Sequence, residues 1–284
     1  MNPRSLLLET AAHFRAAGIP DPETDSALLL SFLTGQTPLS LRLNSDTELS
    51  PDIVESFHVM AERRLAREPL QYITGEAPFY GRIFQVDSRV LIPRPETEEL
   101  CAWALDSLPV SMPCRVLDLC CGSGCIGLTL AAERPSLHVT LSDCSQDALD
   151  VAASNAARLG LQISLHRGDL SEGLPSAFFH CVISNPPYIP SAECRILQPE
   201  VLREPVLALD GGTDGMAFYR RISDESIRIL KPCGILLLEL GYGEADAVSA
   251  LLTSAGFTGI TVKKDFRGIA RMILAVSPAR RNYV

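Results

Sequence analysis

Val116-Leu117-Asp118-Leu119-Cys120-Cys121-Gly122-Ser123-Gly124-Cys125-Ile126-Gly127 decides the fold. Its apolar start predicts a buried strand over 115–119, its glycines a tight turn, and the run from Ile126 to Glu133 a helix. The alternation then repeats. Strands are expected at 138–142, 163–167, 181–184 and 235–240, with helices at 145–159, 216–230 and 244–255. Two late strands are expected near 259–264 and 270–276, followed by a loose tail over 277–284. Short units of this kind predict an α/β fold: a mostly parallel sheet with helices on both faces.

Upstream the pattern is helical. Asn2 to Ala17 is expected to form a helix that Gly18 stops, and Asp21-Pro22 and Ser50-Pro51 each pair an N-cap residue with proline at the first helical position. Ile53, Val54, Phe57, Met60, Ala61 and Leu65 share one face and read as core, whereas the face with Arg63, Arg64 and Arg67 reads as solvated. Residues 1–75 therefore read as a small helical domain. Gln71 to Gly75 and Phe79 to Val86 read as short strands, so 76–110 is expected to be a β-hairpin linker with a connecting helix. Ile92-Pro93-Arg94-Pro95-Glu96-Thr97 becomes helical only after its second proline. Residues 111–284 are left for the sheet domain.

The 284 residues suit one large domain or two unequal ones, and 46% hydrophobic with 21% charged residues excludes a disordered chain. No apolar run approaches the roughly 20 residues that span a bilayer, and the leucines at 6–8 are too few for a signal-peptide core. A cytoplasmic protein with no membrane segment is expected. Acidic residues outnumber basic ones by 34 to 25, for a net charge of -9, which counts against a nucleic-acid partner. The nine cysteines read as thiols. Cys120, Cys121 and Cys125 cluster, but no second Cys/His group completes four ligands, so no metal is expected.

A turn from strand to helix is where open α/β sheets bind ligands. Asp143, 19 residues after Gly124, ends the next strand, and a carboxylate there can accept both hydroxyls of a ribose. Two cofactors fit. Gly122-x-Gly124-x-x-Gly127 matches a dinucleotide pattern, which implies a nicotinamide-dependent oxidoreductase. Asp118 followed by the glycines fits S-adenosylmethionine (SAM), with Cys120 where a first glycine is usual. Cys120 is strained if that position needs a positive φ; with ordinary angles it merely lines the pocket.

Asn185-Pro186-Pro187-Tyr188 follows the fourth strand and selects between them. The prolines stiffen the strand exit. An amide or exocyclic amino nitrogen is a poor nucleophile because its lone pair is delocalised. Asn185 Oδ1 and the Pro186 carbonyl can each accept one N–H of such an NH₂ group, aiming the nitrogen at a methyl donor and favouring the positive charge that develops on it. The histidines, at 13, 58, 138, 166 and 180, fall near no such site.

This exit together with the turn at 118–124 resembles the SAM-dependent amino-methyltransferases. Glu68-Pro69-Leu70-Gln71-Tyr72-Ile73-Thr74-Gly75, Leu91 to Glu98, Asn185 to Ile189, Glu204-Pro205 and Asp214-Gly215 narrow the match to the PrmC/HemK family of release factor glutamine methyltransferases, over nearly the whole chain. The resemblance implies a Rossmann-like class I sheet and methylation of the side-chain nitrogen (N5) of the glutamine in the Gly-Gly-Gln motif of peptide chain release factors. It implies SAM contacts from Cys120, Cys121, Gly122, Ser123 and Gly124, from Asp143 to the ribose, and from Asp169, Leu170 and Asn185. Asn185 and Pro186 would be catalytic; Asn185, Pro186, Pro187 and Tyr188 would hold the glutamine, with Arg94 and Glu96 near the mouth. Leu170 stands where some relatives have an aromatic residue. The rival activities are methylation of DNA adenine or rRNA guanine, which would share the Asn-Pro-Pro-Tyr exit, and a nicotinamide dehydrogenase, which gives that exit no role.

Overall fold

The computed structural model describes residues 1–110 and 112–279, in two compact units: Met1–Glu76 with Gln198–Arg203, and the described residues of 77–197 with 204–279. Residues 280–284 of the expected tail lie outside the described residues.

The first unit holds helices α1 (Pro3–Ala16), α2 (Pro22–Thr34), α3 (Pro38–Leu43), α4 (Pro51–Leu65) and α5 (Leu70–Thr74). The first four each begin on a proline, whose fixed φ and missing N–H suit a helix start. Asn2, Thr37 and Ser50 cap α1, α3 and α4 by accepting from Ser5 N, Ser40 N and Ile53 N, whereas Asp21 makes no side-chain cap bond. Leu6, Phe14, Leu29, Leu30, Leu41, Phe57 and Ile73 form the core.

Thr37-Pro38 starts α3, a helix beyond those expected, by the same signal as Ser50-Pro51. Two expectations differ from the structure. The segment Gln71 to Gly75 is helical, not extended: adjacent Tyr72 and Ile73 are both buried, which an alternating strand forbids, and Gly75 closes the turn at φ 73°. Nor is the arginine face of α4 solvated. Arg64 is 4% exposed and pairs with Asp25 and Glu200, both at 2.8 Å, while Arg67 pairs with Glu200 at 2.7 Å. Residues 198–203 thus cluster with the helical unit.

Next along the chain comes the hairpin β1 (Glu76–Phe79) and β2 (Arg82–Gln85), turned by Tyr80 and Gly81, both at positive φ. Then follow α6 (Pro95–Ser107), β3 (Cys114–Leu119), α7 (Cys125–Glu133), β4 (Leu137–Asp143), α8 (Gln146–Leu159), β5 (Ser164–Arg167) and β6 (Phe179–Ser184). Short 3-10 turns lead to α9 (Ala217–Ile229), β7 (Leu230–Glu239), α10 (Ala245–Ser254), β8 (Thr258–Lys264) and β9 (Ala270–Val276). The sheet order is β5-β4-β3-β6-β7-β9-β8; β9 runs antiparallel to the other six strands.

Successive strand residues feed opposite cores. Val116, Cys181, Ile183 and Leu237 pack with α6, α7 and α8, whereas Leu117, Val182, Leu236 and Leu238 pack with α9 and α10. A sheet covered on both faces leaves ligands one accessible place, its carboxyl edge.

Candidate functional site

Strand register gathers the motifs at that edge. Leu119 stands beside Ser142 on β4 and Ser184 on β6, and Ser184 beside Leu238 on β7. Cys120, Asp143, Asn185 and Glu239 therefore lie at one end of the sheet. The chain winds one way from β3 to β4 and β5 and the other way to β6 and β7, so this end is a topological switch point. A cleft of about 760 Å³ opens there. Of the expected residues, Cys120, Gly122, Asp143, Asp169, Leu170, Asn185 and Pro187 line it. Cys121, Ser123, Gly124, Pro186, Tyr188, Arg94 and Glu96 lie outside its wall.

The turn after β3 is shaped by its main chain. Cys120, Gly122 and Gly124 sit at φ 60°, 52° and 77°. The position of Cys120 does need the left-handed region, which costs a cysteine about 1–2 kcal/mol; the reading with ordinary angles is excluded. Gly127 has a different reason to be glycine: a Cβ there would lie 2.3 Å from Leu141 Cδ2, so it lets α7 press onto the sheet. Asp143 accepts from Gly122 N and Ser145 N, each at 3.0 Å. Asp118 is wholly buried, accepts from Gly127 N at 2.8 Å, and is pushed up to about 7 by its burial. Burial likewise pushes the Cys120 thiol up and Cys125 to about 12, so both are protonated and poor nucleophiles. Among the described residues, no group of three or more His, Cys, Asp or Glu is placed to hold a metal ion.

These details separate the two cofactors. A dinucleotide diphosphate needs free N–H groups at the turn. Here those of Cys121, Gly122, Gly124 and Gly127 are committed to Ser142 O, Asp143, Cys121 O and Asp118. Two carboxylates beside the turn would also repel a diphosphate. An adenosyl group fits better. Both Asp143 oxygens keep lone pairs for ribose hydroxyls, and Leu170, Leu207, Ala208 and Phe218 offer apolar surface to a purine. Leu170 is buried at φ 51°. Phe218, on α9, brings to this wall the aromatic ring absent at 170. Nothing in its local sequence marked it, since α9 is an ordinary amphipathic helix.

The exit of β6 is held by side chains instead. Pro186 and Pro187 are buried. Ile189 N donates to Leu209 O at 2.9 Å, and Gly211 N to Ile189 O at 2.8 Å. A Cβ on Gly211 or Gly215 would come within 2.7 Å of Tyr188 Cα or 2.5 Å of its carbonyl oxygen, which explains the glycine of Asp214-Gly215. Asn185 Nδ2 donates to Thr97 Oγ1 at 3.3 Å, and Thr97 Oγ1 donates to Glu239 Oε2 at 2.5 Å. Tyr188 OH donates to the other oxygen of Glu239 at 3.4 Å. Burial pushes Glu239 up to about 7 despite those bonds and the nearby Arg271. Arg94 is held by Glu204 at 2.6 Å, which also accepts from Ile92 N at 3.0 Å. Of the Ile92–Thr97 stretch, Thr97 is thus the residue that meets Asn185, and neither it nor Glu239 carries a local sequence signal for that role.

Two family descriptions match the chain: "PrmC N-terminal domain" over residues 5–75 and "Methyltransferase small domain" over 101–205. A solved methyltransferase from Pyrococcus furiosus shares the fold, with a TM-score of 0.54 at 14% identity over 79% of this chain and 98% of that one. Fold and cleft define a SAM-dependent methyltransferase. The release factor glutamine methyltransferase of Caulobacter vibrioides is 42% identical over 92% of this chain and 91% of its own length. That of Deinococcus radiodurans is 40% identical over 97% and 98%. The chain belongs to the release factor glutamine methyltransferase family. Among the described residues no helix is long and apolar enough to cross a membrane.

Proposed function

We propose that the protein methylates the side-chain nitrogen, N5, of the glutamine in the Gly-Gly-Gln loop of peptide chain release factors, acting in the cytoplasm with SAM as donor. The observation that carries this reading is the register of Leu119 with Ser184, which puts Asn185 beside the cofactor turn. SAM supplies, when bound, a methyl group on a sulfonium sulfur. Asp143 accepts the ribose hydroxyls, and the turn from Cys120 to Gly124 together with Asp169 and Leu170 bounds the cofactor. Asn185 Oδ1 and the Pro186 carbonyl each accept one N–H of the glutamine amide, and Pro187 and Tyr188 complete its slot.

Holding both N–H groups turns the nitrogen toward the methyl carbon and stabilises positive charge on it. The nitrogen would accept the methyl group and afterwards lose one proton to water, so no strong base would be needed beforehand. Arg94, fixed by Glu204, and Glu96 would meet flanking residues of the release factor. The helical unit of residues 1–75 would recognise the body of that partner, and 76–110 would serve as the connector to the methyltransferase domain at 111–284.

The test offers labelled SAM with a release factor, free DNA or rRNA. Label in the release factor, lost when its glutamine is changed to alanine, is expected. Label in nucleic acid alone would sink the reading.

A further inference from the structure

Asn185 is useful to an amide substrate only one way round. With Oδ1 toward the cleft it accepts an N–H; flipped, it offers Nδ2, which faces the substrate's own donors. A side-chain amide is nearly symmetric in shape, so shape alone does not choose the orientation. A hydrogen-bond partner must choose.

We propose that Glu239, acting through Thr97, sets that orientation: it is the residue that keeps the Asn185 oxygen turned to the substrate. The proposal rests on the reading of Asn185 as the acceptor for glutamine. A carboxylate can only accept. Its Oε2 takes the single Thr97 hydroxyl hydrogen at 2.5 Å, leaving Oγ1 able only to accept. What Oγ1 accepts is Nδ2 of Asn185, at 3.3 Å, so Oδ1 is left for the cleft. Tyr188 OH occupies the second carboxylate oxygen at 3.4 Å, so the same group steadies two residues of the exit. Thr97 and Glu239 are each 2% exposed, so water is kept from substituting for the bond between them.

Reversing the first member reverses the chain. A protonated Glu239 can donate to Thr97, whose hydrogen is then free to point at Asn185 and favour the flipped amide. The groups facing Glu239 are Arg271 from β9, Glu96 and Cys101 from α6, Cys125 from α7 and Tyr188 from the exit loop. Arg271 favours the charged carboxylate and Glu96 opposes it, with the balance near 7. Methyl transfer should accordingly fall as pH drops through about 7 and level off above it.

The test compares Thr97→Val, Thr97→Ser and Glu239→Gln with the wild-type chain. Thr97→Val keeps the shape and removes both bonds. It is expected to lower kcat by about 10- to 100-fold, by analogy with removing the hydrogen-bond partners that orient metal ligands. KM for SAM should move little, and Tm should fall by a few degrees because the buried Glu239 loses a donor. Thr97→Ser, which restores the hydroxyl, should recover most of kcat, and Glu239→Gln should lose the acidic limb of the pH profile. A Thr97→Val enzyme with wild-type kcat, or a Glu239→Gln enzyme with an unchanged acidic limb, overturns the proposal.

A second readout needs no substrate. In ¹⁵N-labelled protein the Asn185 side-chain NH₂ signals, assigned by their loss in Asn185→Ala, should shift in Thr97→Val and titrate with pH in the wild type. Signals unmoved by either change overturn the proposal even if methyl transfer proceeds. Failure of the wild type to label a release factor would instead overturn the proposed substrate, leaving these signals to decide the orientation.

Discussion

The turn after β3 and the exit of β6 lie side by side, yet they are built on opposite principles. The turn takes its form from backbone: three residues at positive φ, local N–H bonds, and a glycine where a helix meets a strand. Its side chains can vary, as Cys120 shows. The exit takes its form from side chains that reach 88 residues back to Thr97 and 51 forward to Glu239. A site made of backbone tolerates exchange at the cost of some strain. One made of a hydrogen-bond relay tolerates little, because each member fixes the next.

Asn185→Ala should separate the two most sharply. It removes a preorganised acceptor and is expected to lower kcat by about 100- to 1,000-fold. A variant that kept near-normal kcat would break the contrast, since the exit would then be scaffolding.

Gly127→Ala attacks the other side. Overpacking against Leu141 should cost about 1–3 kcal/mol, seen as a fall of several degrees in Tm, together with weaker SAM binding. Because Asn185 is untouched, kcat at saturating SAM should stay near normal. Loss of kcat with Tm unmoved would mean that turn and exit are not separable.

Cys120→Gly is the mildest case. Relief of about 1–2 kcal/mol of left-handed strain is offset by the greater chain entropy of glycine, about 0.5–1 kcal/mol, and by the lost thiol packing. Tm should move by only a degree or two in either direction. A large drop would show that the thiol, not the backbone, maintains the turn.

The contrast also explains what could be read in advance. The strand–turn–helix at 115–133, the carboxylate at Asp143 and the Asn-Pro-Pro-Tyr exit announce themselves because their causes are local: burial pattern, φ requirements, proline stiffness. Proline-started helices were legible for the same reason, and α3 was missed although it carried the same signal. Thr97, Glu239 and Phe218 were not legible, because what gives them a role is strand register and helix packing, which no window of sequence contains. Arg64 was misread on similar grounds. Its place on a polar helix face says solvent, and only Asp25 and Glu200, far away in sequence, make burial tolerable.

That last pairing has a consequence in time. Arg64 leaves the ribosome 136 residues before Glu200 does, and at about 5–20 residues per second the gap lasts roughly 7–27 seconds. Through that interval the helical unit holds a guanidinium with Asp25 as its one early acidic partner, while β3, β4, β5 and β6 are being made. The first segment to be synthesised is thus among the last to be completed, and a nascent chain arrested before residue 198 would present the helical unit unfinished.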